Sequence, residues 1–159
     1  MPPTAAKATA PVALFCGEDE FAVKQTARQR YQQWSTELGG MDHEIIDAAV
    51  GNSGEALNAL RKLREALQTL PFFGGAKVIW LKDCNFLGEE RTAQSAAVTE
   101  ALAELAQELK TFQWQGVRLL VSAGKVDKRK VFFKALDKIG SVEVLDGSSV
   151  SDKDWANQA

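Results

Sequence analysis

The sequence predicts an α/β protein in which a five-stranded parallel sheet carries helices on both faces. Strand-like and helix-like segments alternate five times along the 159 residues, a pattern typical of parallel strands joined by helical crossovers. The strand-like segments are short and apolar on both sides, as expected for strands covered on both faces. A chain of this length can bury about 70% of its unfolded surface, which is enough for a core without disulfides or metals.

Five short apolar segments are the predicted strands. Val78, Ile79 and Trp80 illustrate their composition, since β-branched and aromatic side chains fit a pleated, buried surface. The predicted strands span residues 12–16, 44–48, 77–81, 117–121 and 142–145.

Apolar residues at spacings of three and four predict the helices between these strands. The first helix places on one face Phe21, Ala27, Tyr31, Trp34 and Leu38. The second carries a stripe of Leu57, Leu60, Leu63, Leu67 and Leu70. The third repeats the pattern through Val98, Leu102, Leu105, Leu109 and Phe112.

Several residues predict where these helices begin and end. Asn52 and Glu55 have the spacing of a capping box at the start of the second helix. The third helix is expected over residues 92–112. Asp127 is a candidate N-cap for a fourth helix over 128–139, and a glycine follows that helix as its stop signal.

The domain organisation follows from the same pattern. Residues 1–11 are interpreted as a flexible leader and residues 12–150 as the main domain. Ser151 and Asp154 resemble the start of another helix in residues 151–159, so we expect the chain to be a fragment of a longer one.

Composition narrows the class of protein. The net charge of −2, with 45% hydrophobic and 25% charged residues, is ordinary for a globular protein and predicts no general attraction to nucleic acid. No apolar run approaches the roughly 18 residues that a membrane span needs, and the N-terminus lacks the apolar region of a signal peptide. Cys16 and Cys84 lie in or beside apolar runs and suit buried free thiols in a reducing compartment. A cytoplasmic protein without a metal site is therefore expected.

The residues expected of a nucleotide hydrolase are missing. Parallel sheets often bind nucleotide after the first strand, but the segment Gly17-Glu18-Asp19-Glu20 has one glycine and three carboxylates, which would repel a phosphate. Asp83 after the third strand has no acidic neighbour to complete a magnesium site. His43 has no serine or cysteine near it in sequence. We predict no catalytic residues and no cofactor.

Two neighbouring aromatic residues stand at a break between regular elements. Pro71 stops the second helix, Phe72 and Phe73 follow, and two glycines precede the third strand. Adjacent side chains on an extended segment point in opposite directions, so one ring could be buried while the other faces water. The alternative, that both rings close the end of the core, stays open.

One basic cluster precedes the fourth helix: Lys125, Lys128, Arg129 and Lys130. Cations at a helix N-terminus oppose the macrodipole, so a compensating contact with phosphate, including that of DNA, is one interpretation. The other is an ordinary solvated surface, because no second basic stripe extends the cluster.

Taken together, several segments resemble the delta subunit family of bacterial DNA polymerase III, a component of the clamp loader. The longest matches are LFCGEDEF at residues 14–21, LQTLPFFGGAKV at 67–78 and VSAGKVDKRK at 121–130. Shorter matches are Lys134-Ala135-Leu136, Val142-Glu143 and Trp155. Their order and spacing carry the resemblance, which covers only the family's N-terminal domain.

This resemblance implies a fold similar to the AAA+ nucleotide-binding core without working ATP motifs. It implies that two adjacent apolar residues insert into a hydrophobic pocket on the sliding clamp, and the matching positions are Phe72 and Phe73. The family often has Leu-Phe there, so Phe72 is a departure. Leu70 and Gln68, at the end of the preceding helix, would supply supporting contacts.

The partners implied by the resemblance are the sliding clamp and other clamp-loader subunits, of the ATPase and delta-prime types. DNA would be met through that complex, which is part of the DNA-directed DNA polymerase holoenzyme, and neither a membrane nor a small-molecule substrate is expected. Two alternatives remain: a divergent nucleotide hydrolase that uses the first turn and Asp83, and a scaffold domain whose two rings are core and whose partner binds elsewhere.

Overall fold

The structure is a computed structural model that describes residues 10–39, 43–69 and 76–146. Its strands are β1 Val12–Cys16, β2 Glu44–Asp47, β3 Lys77–Cys84, β4 Val117–Ala123 and β5 Ser141–Val144. Its helices are α1 Glu20–Leu38, α2 Ser53–Gln68, α3 Ala96–Thr111 and α4 Val131–Ile139, with a 3₁₀ turn at Thr92–Gln94.

All five strands belong to one sheet in the order β2-β3-β4-β1-β5, and every neighbouring pair is parallel. Strand β1 lies between β4 and β5, so that Leu14 is paired with both Val121 and Val142. The predicted fold class is confirmed.

The sheet has two cores of unequal size. Val12, Leu14 and Cys16 of β1 face a large cluster to which α2, α3 and α4 all contribute. Ala13 and Phe15 point to the opposite face, where α1 is the only helix of residues 10–39, 43–69 and 76–146 that covers the sheet. The alternation of side chains along one buried strand therefore supplies both cores, with three helices on one face and one on the other.

Phe21 does not lie on the buried face of α1, as its spacing had suggested. Its exposed fraction is 75%, whereas Val23, Ala27 and Trp34 are buried. A helix turns by about 100° per residue, so a residue two positions before Val23 points nearly the opposite way. Tyr31 and the helix's last residue pack partly against the smaller core, as expected.

The start of α2 confirms Asn52 as the N-cap, but the reciprocal bond of the predicted capping box comes from Gly51 rather than from Asn52. The Asn52 Oδ1 accepts a hydrogen bond from the Glu55 N–H at 2.9 Å, and the Glu55 carboxylate accepts one from the Gly51 N–H at 2.8 Å. Leu60, Leu63 and Leu67 of the predicted stripe are buried.

Two helix starts were predicted too early. Helix α3 begins at Ala96, where Ser95 is the N-cap, and only the short 3₁₀ turn precedes it. Helix α4 begins at Val131, and Asp127 is not its cap. The Asp127 carboxylate instead accepts a hydrogen bond from the Arg129 N–H at 3.0 Å, because an aspartate can form a local turn with the residue two positions on.

Strand β3 runs three residues beyond its predicted end. Its pairing with β4 is irregular between Leu81 and Cys84, and Asp83 has a positive φ of 56°. The Asp83 N–H and the Trp80 indole N–H both donate to the buried Ser122 hydroxyl, at 3.0 and 2.9 Å. A side-chain acceptor on β4 thus replaces the regular ladder at this point.

In the part of the chain that the structure describes, no helix has the length and apolarity to cross a membrane.

Both cysteines are buried and free, as predicted. Burial raises the pKa of Cys16 to about 11 and that of Cys84 to about 12. Because only the thiolate is a good nucleophile, we expect both native thiols to react with a disulfide reagent at about pH 8 at least about 100-fold more slowly than in the unfolded chain. Thiol titration with and without denaturant measures this, and fast labelling of either native cysteine would contradict the described burial.

Candidate protein-interaction site

The predicted interaction residues lie at the connection between α2 and β3. Leu70, Phe72 and Phe73 fall outside the described residues. Gln68, the last residue of α2, is exposed. The structure therefore describes the two flanks of the connection, Thr69 on one side and Ala76 on the other.

The helix flank ends in a compact cap. The Thr69 N–H and the Thr69 hydroxyl both donate to the Glu65 carbonyl oxygen, at 3.0 and 2.8 Å. Thr69 itself has extended backbone angles, so the chain leaves the helix there.

The strand flank is tied to the helix by Lys77, which is only 4% exposed. Its Nζ donates to the Ala66 carbonyl oxygen at 2.9 Å, and its N–H donates to the Gly116 carbonyl oxygen at 2.8 Å. A cation at this place satisfies a carbonyl at the end of α2 and complements the negative end of the helix dipole. Lys77 thus holds both ends of the connection together. The sequence analysis missed this role, although a lysine that opens an apolar strand just after a helix was the available signal.

An aromatic pair lies on the neighbouring turn between α3 and β4. Phe112 and Trp114 are half-buried, with ring centroids 4.6 Å apart and planes at 65°. Lys77 pairs with Val117 at the start of β4, so this turn is adjacent to the connection after α2. A hollow of about 410 Å³ lies between the ends of α2 and α3, lined by residues that include Leu67, Gln68, Leu109, Phe112 and Gln113.

An ion pair joins the two helices at this edge. The Arg64 guanidinium donates to the Glu108 carboxylate, with Nε 3.0 Å from Oε1, and Glu104 lies 3.8 Å from the same guanidinium. The hydrogen bond from Arg64 lowers the pKa of Glu108, and the same bond raises the pKa of Arg64. The surface around the connection is therefore held by contacts from three elements: α2, α3 and β3.

The turn after β1 has no free amides for a phosphate. The Gly17 N–H donates to the Gly124 carbonyl at 2.9 Å, the Glu18 N–H to the Asp146 carboxylate at 2.7 Å and the Asp19 N–H to the Leu145 carbonyl at 2.9 Å. A phosphate loop needs these N–H groups to point at the ligand. Asp19 serves instead as the N-cap of α1 and accepts from the Ala22 N–H.

The other residues weighed as catalytic have structural contacts. His43 Nδ1 accepts a hydrogen bond from the Val78 N–H at 3.0 Å, which ties the segment before β2 to β3. Asp83 takes part in the irregular end of β3. Within residues 10–39, 43–69 and 76–146, no group of three metal-ligating side chains is assembled.

Two members of the basic cluster, Arg129 and Lys130, are hydrogen-bonded to protein acceptors, and Lys125 lies at the outer limit of an ion pair. Arg129 forms a fork on the Asp127 carboxylate, with both N–O distances 3.0 Å. Lys130 Nζ donates to the Ala93 carbonyl at 3.1 Å, and Lys125 Nζ lies 4.0 Å from the Glu18 carboxylate. Lys128 is exposed and lies close enough to Cys16 to affect the pKa of that thiol. The cluster therefore presents less free positive charge than its sequence suggests.

The fold defines the class of protein first: an α/β domain built on a five-stranded parallel sheet. A protein-family model, described as DNA polymerase III, delta subunit, matches residues 14–145. The chain therefore belongs to the DNA polymerase III delta subunit family, as its resemblance to that family had predicted.

Two solved structures illustrate the likeness. The Bacillus subtilis DNA clamp loader delta protein (YqeN) is 17% identical with a TM-score of 0.58, over 84% of this chain and 38% of that one. A chain in the E. coli MS115-1 HORMA:CdnC:Trip13 complex is 13% identical with a TM-score of 0.51, over 89% of this chain and 50% of that one. At these identities the likeness shows the fold alone, and this chain spans half or less of each structure's chain. A search of curated proteins found no significant match.

Replacing Lys77 tests the tie between α2 and β3. In Lys77→Met the Ala66 carbonyl loses its donor in a buried place, so we expect the free energy of unfolding to fall by about 1–3 kcal/mol. Urea unfolding measures the change. Lys62→Met, at an exposed lysine of α2, is the matched control and should change stability by less than about 0.5 kcal/mol. A Lys77 variant as stable as the parent would show that the tie contributes nothing.

The Asp127–Arg129 fork predicts a pH dependence. The Arg129 side chain, followed by its N–H, lowers the pKa of Asp127 from 3.8 to about 2. Since the folded pKa is the lower one, this contribution to stability is complete above the ordinary pKa and is lost as the pH falls from there toward 2. An NMR titration of the Asp127 carboxyl should show the low pKa, and Arg129→Ala should return it toward its ordinary value. An unchanged pKa in that variant would exclude the fork as its cause.

Proposed function

We propose that this chain is the part of a clamp-loader delta subunit that binds the sliding clamp and opens it for loading onto DNA. Phe72 and Phe73 form the apolar wedge, and Leu70 and Gln68 add contacts at the end of α2. The observation that carries the proposal is the buried Lys77, whose bonds to Ala66 and Gly116 brace the connection that bears the two rings.

A connection with ordered flanks favours the insertion of the two rings into a pocket. Two ordered flanks reduce the conformational entropy lost when the rings enter a pocket. More of the interaction free energy then remains as affinity. Full burial of each ring is worth roughly 1.5–3 kcal/mol, so two adjacent rings can be the hot spot of a small interface. Phe112 and Trp114, on the turn before β4, add apolar surface next to the described strand flank of the connection.

Opening the clamp requires differential binding rather than chemistry in this subunit. A protein that binds the open or strained ring better than the closed ring shifts the equilibrium toward opening. The internally bonded amides after β1 support a division of labour in which partner subunits of the ATPase type bind and hydrolyse ATP. In this proposal residues 12–150 form an AAA+-like domain after a leader of residues 1–11, and residues 151–159 begin the next helix.

The setting of the proposal is the cytoplasmic DNA polymerase holoenzyme, with a delta-prime-type subunit among the partners. The subunit itself carries no nucleotidyltransferase chemistry. DNA contact through Lys125, Lys128, Arg129 and Lys130 stays a prediction. Lys128 and Lys125 are its better candidates, because Arg129 and Lys130 are hydrogen-bonded to protein acceptors and Lys125 is only 4.0 Å from the Glu18 carboxylate.

Clamp binding by the Phe72→Ala/Phe73→Ala variant tests the wedge. We expect the dissociation constant for a bacterial sliding clamp, measured by calorimetry or surface plasmon resonance, to rise by about 100-fold or more, which corresponds to the loss of two buried rings. Ile45→Ala is the control, because Ile45 is an apolar residue, 50% exposed, on the edge strand β2, and it should leave the affinity unchanged.

Two outcomes would contradict the proposal. Unchanged clamp affinity in a double variant with native circular dichroism would remove the wedge. A large fall in the stability of the double variant would show instead that both rings belong to the core, as in the scaffold alternative.

A further inference from the structure

A cavity of about 210 Å³ lies between α3 and α4, at the margin of the larger core. Leu14 of β1, Leu102 of α3 and Phe132 of α4 line it, and all three side chains are buried. Val131, which is 49% exposed, lines the cavity as well. The cavity therefore extends from the core to the surface beside the first residue of α4.

The lining of this cavity suits hydrocarbon better than water. It consists mainly of leucine, valine, alanine and phenylalanine side chains, whereas a buried water needs about two to four polar partners. Protein interiors contain few voids larger than a water molecule. Since an apolar cavity of about 150 Å³ is large enough to hold benzene, this one can accept an alkyl chain of about six to eight carbon atoms.

Two polar side chains of the lining meet at one carbonyl oxygen. The Lys130 Nζ donates to the Ala93 carbonyl at 3.1 Å, and the Thr99 hydroxyl donates to the same carbonyl at 3.4 Å. Both residues line the cavity, and Lys130 is half-buried. An ammonium group has three N–H donors, so this bond leaves two of those on Lys130 for another acceptor.

The carboxylates of the neighbouring loops have other partners. Asp127 holds Arg129 in the bidentate fork, and Glu89 lies 3.9 Å from the same guanidinium. Glu90 accepts a backbone N–H at 3.0 Å. The acceptor that the structure gives the Lys130 ammonium is a neutral carbonyl instead. A cation beside an apolar cavity is complementary to an anion that carries an alkyl chain, because hydrogen bonds between charged groups are the stronger ones.

We propose that the cavity between α3 and α4 binds a free fatty acid of about six to eight carbon atoms, with its carboxylate on Lys130. The alkyl chain lies among Leu14, Leu102 and Phe132. The small volume favours such a ligand over a drug-sized one, whose pockets measure at least about 300 Å³. The connection between α2 and β3 takes no part in this binding, which is therefore independent of clamp binding.

Calorimetry of the full 159-residue chain with a series of fatty acids tests the ligand class. The affinity should rise about threefold per methylene from butanoate to octanoate and level off at decanoate, because the cavity is then full. Hexanoate should bind about tenfold more tightly than 1-hexanol, which cannot form a charge-assisted bond. No binding of octanoate at millimolar concentration, or equal affinities for hexanoate and 1-hexanol, would overturn the proposal.

Replacing Lys130 tests where the carboxylate lies. Lys130→Met should weaken hexanoate binding about tenfold and leave 1-hexanol binding unchanged, because only the carboxylate loses its partner. Lys138→Met, at an exposed lysine of α4, is the matched control and should bind both ligands as the parent does. An equal loss of both ligands in Lys130→Met would show that this lysine only supports the cavity wall, and would overturn the proposal.

Filling the cavity tests where the alkyl chain lies. Ala103 of α3 is half-buried and lines the cavity, so Ala103→Leu should weaken octanoate binding at least about tenfold through the volume it occupies. The urea midpoint should stay the same or rise, because filling a cavity commonly stabilises a protein. Undiminished octanoate binding by a folded Ala103→Leu variant would place the ligand elsewhere and overturn the proposal. The Lys130→Met comparison carries the test if Ala103→Leu does not fold.

Discussion

The interior strand β1, between β4 and β5, depends on two glycines, one at each end, where another backbone comes very close. At the first end a Cβ on Gly140 would lie 2.2 Å from the Val12 carbonyl oxygen, and at the other a Cβ on Gly17 would lie 2.3 Å from that of Leu145. Strand β5 can pair with β1 only because neither position carries a side chain. Both cores rest on β1, since its alternate side chains enter opposite faces, so this close contact supports the whole domain.

Periodicity predicted most of this fold. The apolar strands, the leucine stripe of α2 and the N-cap at Asn52 all follow local rules, and each is present. The errors arose where two local rules compete or where a tertiary contact decides. Asp127 can cap a helix or form a turn with Arg129, and in the structure it forms the turn. Phe21 matched an apolar spacing, but the buried face of α1 is set by Val23 and Ala27.

The candidate site divides in the same way. A proline, two rings and two glycines were visible in the sequence as a break between α2 and β3. The bracing by Lys77 was not, because it depends on the Ala66 carbonyl eleven residues away and on a turn after α3. The sequence predicted in part that the turn after β1 does not bind phosphate, since the turn has too few glycines for a phosphate loop. It could not predict that the N–H groups of this turn donate to acceptors between residues 124 and 146, because only the fold brings those residues close.

The unequal covering of the sheet has a consequence for how the domain opens. In the part of the chain that the structure describes, α1 is the only helical layer on its face, whereas α2, α3 and α4 support one another through shared contacts such as the Arg64–Glu108 pair. If α1 detached, the larger core would keep all of its helices, although the side chains of Trp34 and Phe15 would become exposed to solvent. The two faces therefore form separable cooperative units, and subglobal excursions of this protein should begin with the single-helix layer.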